Sequence, residues 1–155
     1  MSRLTLDFLD GNSPEAAELA RIHALEWQHL YREWDEKRAL EEFCSQGTDG
    51  SLPATLILCE DERFVGSVSV VRDDCEAMRD VGPWLASLYV MPGDRGHGYG
   101  SRLVAAAIKL AKRNEAAALY VFTESAGKLF LRHGFVQFAE AVTNGRAITI
   151  LRREI

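Results

Sequence analysis

The sequence predicts an α/β protein, an α+β mixed sheet with helices on both of its faces. Three observations carry that prediction. Short apolar runs of period two alternate along the chain with longer stretches of helical period. Two strand pairs are joined at close range, one by Asp61-Glu62-Arg63 and one by Asn144-Gly145, the strongest two-residue hairpin signal in the chain. The resulting order, β-α-α-β-β-β-α-β-α-β-β, fits one mixed sheet covered by helices. With 155 residues, 47% of them apolar, the chain has the size of a single domain spanning residues 1–155. A chain of this length buries roughly 70% of its unfolded surface, so it needs neither disulfide nor metal to hold a core.

Each element follows from local chemistry. Leu4, Leu6 and Phe8 alternate with Thr5 and Asp7 as a half-buried strand, which Asp10-Gly11-Asn12 ends. Ser13 and Pro14 open a helix as N-cap and first helical residue. Leu19, Ile22, Leu25 or Glu26, and Leu30 continue it at helical spacing, and the pattern runs on to Trp34. Asp35 caps a second helix with Ala39, Leu40 and Phe43 on its apolar side. Beyond a loop over 47–53, Ala54 to Glu60 and Phe64 to Val71 form a hairpin. Arg72 to Gly82 is polar and acidic and is expected as an exposed loop. Trp84 to Val90 is an apolar strand, Ser101 to Asn114 a helix, and Leu119 to Thr123 a further strand. A short helix over Ala126 to His133 precedes the last hairpin, Gly134 to Val142 with Arg146 to Arg152.

Charge narrows the function classes. Lys and Arg number 18 against 23 Asp and Glu, a net −5, where a nucleic-acid binder shows a basic excess; a cationic partner such as an amine fits better. Cys44, Cys59 and Cys75 are far apart and form no CxxC pair, and the four histidines form no HExxH, so no metal site is expected. Met1 to Asp7 alternates and carries charge, unlike a secretory signal, and no apolar run approaches the ~18 residues of a membrane span. No membrane partner is expected, and the expected compartment is the cytoplasm.

The chemistry concentrates in Leu88-Tyr89-Val90-Met91-Pro92-Gly93-Asp94-Arg95-Gly96-His97-Gly98-Tyr99-Gly100-Ser101, where a strand ends, glycines alternate and a helix begins. Missing Cβ atoms let successive N–H groups turn toward one point, and the helix adds unpaired N–H groups and its positive dipole end. A phosphate or pyrophosphate cradle is the physical expectation; a plain flexible turn is the alternative. A Walker loop fails because no Lys follows the glycines, and GxGxG is not the GxGxxG of dinucleotide folds.

The remaining pattern, Arg95-x-x-Gly98-x-Gly100, resembles motif A of the GCN5-related N-acetyltransferases, the GNAT family. Leu129-Phe130-Leu131-Arg132-His133-Gly134-Phe135 is similar to the family's motif B. The resemblance is strongest over residues 84–138. It implies a GNAT-like acyl-CoA N-acyltransferase fold and transfer of an acetyl group from acetyl-CoA directly to a primary amine of a small molecule, peptide or protein. Leu88, Tyr89 and Val90 would pair with the pantetheine arm, and the Leu88 N–H would serve the thioester oxygen. Backbone N–H groups of Arg95, Gly96, His97, Gly98, Tyr99, Gly100 and Ser101 would hold the pyrophosphate. Phe130 would pack by the arm or the acyl sulfur, and Thr123 completes the cofactor set. Lys128 and Arg132 are further phosphate candidates. A homodimer is compatible with the resemblance.

The family's usual acids are missing. Neither Trp84 nor Ser87 supplies the fourth-strand carboxylate, and Phe130 replaces the motif B Tyr. Glu26 is carried as the candidate base, with Glu33, Glu60 and bulk water as alternatives. Trp27, Tyr31 and Trp34 recur at helical spacing; core packing is one reading and an aromatic acceptor wall, Trp27 and Tyr31 foremost, the other. Two rival functions stay open: an idle acyl-CoA sensor, and transfer of another acyl group. Further off is a nucleotide-binding module of another fold.

Overall fold

A computed structural model describes residues 2–125 and 127–155. The elements run β1 (Leu4–Phe8), α1 (Pro14–Trp27), α2 (Glu36–Cys44), β2 (Ala54–Glu60), β3 (Arg63–Val71), β4 (Trp84–Val90), a 3₁₀ turn (Pro92–Asp94), α3 (Tyr99–Arg113), β5 (Ala118–Thr123), α4 (Lys128–Arg132), β6 (Val136–Thr143) and β7 (Arg146–Glu154). The expected order holds. The strands form a mixed seven-stranded sheet ordered β1-β2-β3-β4-β5-β7-β6. Met1 and Ala126, the latter the expected first residue of the short helix, lie outside the described residues.

Helices cover both faces because each strand's alternate residues face opposite ways. Leu56 and Leu58 of β2 join the core beneath α3, with Val65, Leu103, Val104 and Ala107. Ile57, between them, packs instead with Leu9, Leu19, Ala39 and Phe43 under α1 and α2. The Ser13 side chain accepts from the Ala16 N–H, and the Asp35 side chain from the Arg38 N–H, capping α1 and α2 as expected. Asp61 and Glu62 both take positive φ, as do Asn144 and Gly145, so each hairpin turns on two residues of left-handed backbone.

Two expectations are corrected. The helical pattern of α1 does not reach Trp34: α1 ends at Trp27, and the Trp34 indole N–H turns back to the His23 carbonyl (3.2 Å). Tyr31 and Trp34 therefore stand on a turn, not on a helical stripe. The stretch 72–82 is not uniformly exposed either. Cys75 is buried, and Met78 and Val81 pack with it against Trp84, Tyr120 and Ile150. Those three apolar side chains, each three residues after the last, draw the acidic loop down onto the sheet.

Two features of β4 prepare the site. Ser67 pairs with Tyr89 while Ser69 pairs with Ala86, so Ser87 and Leu88 together oppose Val68 as a bulge, with Ser87 at φ 55°. On its other edge β4 runs parallel to β5 but registers with it only at Trp84 and Tyr120. The sheet is thus open between the two strands beyond that pair.

Candidate active site

Three cavities meet along this opening. The first, about 390 Å³, lies over the loop 94–100 and is bordered by Leu88, Val90 and Leu129. The second, about 410 Å³, fills the gap between β4 and β5, lined by Ser87, Leu88, Phe122, Thr123 and Phe130 among others. Glu26 and Leu88 border both. The third, about 460 Å³, lies beneath α1, α2 and the loop 72–79. Trp27, Leu30, Tyr31, Asp74, Ala86 and Ser87 line both it and the gap. The three cavities therefore lie in series with shared walls, from the glycine loop, past the split sheet, to an aromatic-walled cleft.

The glycine loop has the backbone a phosphate cradle needs. Gly96 and Gly98 take φ 84° and 81°, and a Cβ on either would meet no heavy atom within 4 Å. The space a side chain would occupy is open, and Gly98 is the N-cap of α3, which begins at Tyr99, two residues earlier than the sequence predicts. The free N–H groups of a fifteen-residue helix thus point into the loop's cavity. These residues fit a pyrophosphate. Asp94 would oppose one, but Arg63 grips both its carboxylate oxygens at 2.9 Å and holds its carboxyl below the usual carboxylate range. Tyr99 donates to Glu60, and Ser101 Oγ and His133 Nε2 lie 2.6 Å apart, tying α3 to β2 and α4. His97 is exposed.

Arg95 is placed differently from a phosphate clamp. Its Nε donates to the Val90 carbonyl (2.9 Å) and its guanidinium lies over the Tyr89 ring, 5.7 Å from the centroid. The side chain folds back along β4, where an extended arm would otherwise meet that carbonyl. Phe130 packs edge-on to Phe135 and faces the gap, and Thr123 Oγ1 pairs with Ser125 Oγ beside it. Lys128 is exposed and borders none of these three cavities.

The carboxylates sort by position. Glu26 is exposed, borders the gap and the loop cavity, and does not reach the aromatic cleft. Glu33 is 87% exposed and lies near Arg38, and Glu60 is engaged by Tyr99 and Arg63. Asp74, which sequence reasoning assigned to an exposed loop, is half-buried where the aromatic cleft joins the gap, and Tyr31 Oη donates to its Oδ1 (2.7 Å). Burial drives its carboxyl up to about 7; Glu42 and Asp73 add repulsion, while the Tyr31 hydrogen bond pulls the other way. Burial, then Asp74, also pushes the Tyr31 phenol well above its ordinary value.

The cleft wall includes one buried base. His23 is 2% exposed, set edge-on between Trp27 and Phe43, with Nε2 lacking a hydrogen-bond partner among the described residues. Burial lowers its pKa to about 3. Its folded pKa lies below the ordinary value of 6.5, so its neutral form supports the fold at neutral pH, and that support is lost as pH falls from 6.5 toward 3. Urea unfolding of wild type should therefore lose about 2–3 kcal/mol more than His23→Leu between pH 6.5 and 4.5. Asp74 acts in the opposite sense in both proteins and cancels from the comparison. Equal losses would show that His23 is not held neutral by burial.

Among the described residues no group of three or more His, Cys, Asp or Glu is placed to hold a metal ion, and no helix is long and apolar enough to cross a membrane.

The chain is similar to known proteins in sequence pattern and in fold. The family model described as Acetyltransferase (GNAT) family matches residues 18–135. An acetyltransferase of the GNAT family from Streptococcus pneumoniae superimposes with TM-score 0.72 at 16% identity, covering 99% of this chain and 100% of that one. YncA of Salmonella typhimurium, provisionally named an acetyltransferase and solved with its cofactor acetyl-CoA, gives TM-score 0.73 at 20% identity over 97% of this chain and 93% of that one. N-acetylglutamate synthase from Neisseria gonorrhoeae, complexed with coenzyme A and N-acetyl-glutamate, gives 0.67 at 27% identity, covering 99% of this chain but 35% of that one. No curated protein sequence matches the chain.

Proposed function

Because the chain belongs to the GNAT acetyltransferase family, we propose that it transfers an acetyl group from acetyl-CoA directly to a primary amine. The observation that carries this reading is the series of adjoining cavities from the glycine loop, past the β4–β5 opening, to a second cleft. One end suits a diphosphate, the middle an extended arm, and the far cleft an acceptor. Both reactants would be held in one passage, and such positioning supplies a large part of the rate gain.

In this reading the chain's own groups divide the work. Backbone N–H groups from Arg95 to Ser101 hold the diphosphate. Arg95 leaves the Val90 carbonyl so that the main chain of Leu88 and Val90 can pair with the arm. The Leu88 N–H, beside the bulge at Ser87, donates to the thioester oxygen as negative charge grows there. Phe130 and Thr123 line the arm's path, and Trp27 and Tyr31 wall the acceptor cleft. When bound, the thioester supplies an activated acyl carbon and a sulfur leaving group.

The test is thiol release from acetyl-CoA in the presence of a panel of primary amines at about pH 8.5. Amine-dependent release well above the hydrolytic background is expected. Coenzyme A binding with no amine-dependent release would favour an acyl-CoA sensor, and release from longer acyl donors alone would favour another acyl group.

A further inference from the structure

We propose that Asp74, oriented by the Tyr31 hydroxyl, captures the acceptor as its ammonium form and takes the proton that must leave before nitrogen can attack. The inference rests on the acyl-transfer reading above and names the residue that makes the amine reactive. It places this group on the loop between β3 and β4, not on β4.

Position is the first ground. Acyl transfer must occur where the arm's passage meets the acceptor cleft, and of the six residues lining both, Asp74 is the only carboxylate. The second ground is an unbalanced charge. Asp74 sits among Tyr31, Trp27, Ala86 and Ser87 and forms no ion pair among the described residues. A carboxylate taken from water without a cation in contact is costly, and although arginines line the wider cleft, none of them pairs with Asp74 among the described residues. An alkylammonium entering the cleft supplies that contact, with aromatic faces beside it. The third ground is orientation. Tyr31 fixes Oδ1, and Oδ2 has no hydrogen-bond partner among the described residues.

The surrounding groups set when the carboxylate can act. Tyr31 faces it from the turn after α1, Glu42 from α2, and Asp73 and Cys75 from its own loop. The charge of Arg38 acts on Glu42, and Arg32, Arg38, Arg72, Arg79 and His23 line the same cleft. Burial with two like charges nearby leaves Asp74 half-ionised near pH 7, close to the working pH that favours general-base catalysis.

The protons balance as follows. The ammonium gives one proton to Asp74, which passes it to solvent. The neutral nitrogen bonds to the acyl carbon, the carbon–sulfur bond breaks, and the nitrogen's second proton ends on the thiolate. The products are the amide, free coenzyme A and one proton in solution.

The experiment compares kcat/KM for a primary amine from pH 5.5 to 9 in wild type, Asp74→Asn, Asp74→Glu and Tyr31→Phe, with coenzyme A affinity measured calorimetrically in each. Asp74→Asn should lose about 100-fold or more in kcat, lose the acid limb near pH 7 and bind coenzyme A as wild type does. Asp74→Glu should recover part of the rate and the limb. Tyr31→Phe should move the limb upward, since the lost hydrogen bond favoured the charged form; a purely structural role would leave the limb in place. Asp74→Asn retaining wild-type kcat or its acid limb overturns the proposal. A carbon-13 carboxyl resonance that titrates near pH 7, and is missing from Asp74→Asn, is read without turnover. Its absence overturns the proposal even where acetyl transfer stands. Its presence in a wild type that acetylates no amine overturns the acyl-transfer reading instead.

Discussion

Gly98→Val is expected to weaken coenzyme A binding by about 100-fold or more while the protein still folds. Hydrogen bonds from backbone N–H groups to a charged phosphate contribute about 1.5–3 kcal/mol each, so losing one or two reaches that factor. At φ 81° a β-branched residue is strained, yet a Cβ there would meet no heavy atom within 4 Å. The folded chain therefore has room for it, and that room is the proposed cradle. Gly145→Val is the control. Gly145 has φ 77° and equally open surroundings, but it sits in the β6–β7 turn. Both variants pay backbone strain of similar size, and only Gly98→Val blocks the loop cavity. Calorimetric titration with coenzyme A and circular dichroism on the two proteins decide the matter. Affinity within threefold of wild type in Gly98→Val, or equal losses in both variants, would place the diphosphate elsewhere.

The proposed cradle was legible in the sequence because its chemistry is local. Glycines at 96 and 98 take positive φ within one loop, Gly100 allows close packing against Leu129, and the helix N-terminus lies among them. The same is true of the element order, since periodicity and capping act over a few residues. Ser13 and Asp35 were readable as caps for that reason. The acceptor side was not legible, because its parts meet only through tertiary packing. Nothing in Gln28-His29 announces a helix end; α1 stops as Leu30 buries against Trp84 and Trp34 returns to His23. The acidic stretch after β3 looked solvated because its charges outnumber its apolar residues. Its signal was weaker: Cys75, Met78 and Val81 recur every third residue and anchor the loop. That anchoring carries Asp74, one residue before Cys75, to the mouth of the gap. The bulge at Ser87 and the single β4–β5 registration depend on strand pairings that no local pattern encodes.

Trp84→Ala should be the most destabilising single change near the site, at about 3–5 kcal/mol out of a typical total of 5–15. Trp84 is 0% exposed, its ring lies tilted against Tyr120 with centroids 5.5 Å apart and 6.4 Å from Phe122, and its indole N–H donates to the Val81 carbonyl at 2.9 Å. It also occupies the one position where β4 registers with β5, a contact extended by the Tyr120 N–H to the Pro83 carbonyl. The residue therefore fixes the vertex from which the two strands diverge. Removing the ring leaves a cavity at that vertex and frees the loop that Val81 and Cys75 hold, so acetyl-donor KM should rise along with the loss of stability. Trp84→Phe keeps much of the ring contact but leaves the Val81 carbonyl without its donor, a cost of about 1–3 kcal/mol. Urea unfolding of the two variants, with KM for acetyl-CoA measured well below their midpoints, separates the terms. A destabilised Trp84→Ala with unchanged KM would mean that the strands are held apart by their own bulge and register, with the indole serving only the core.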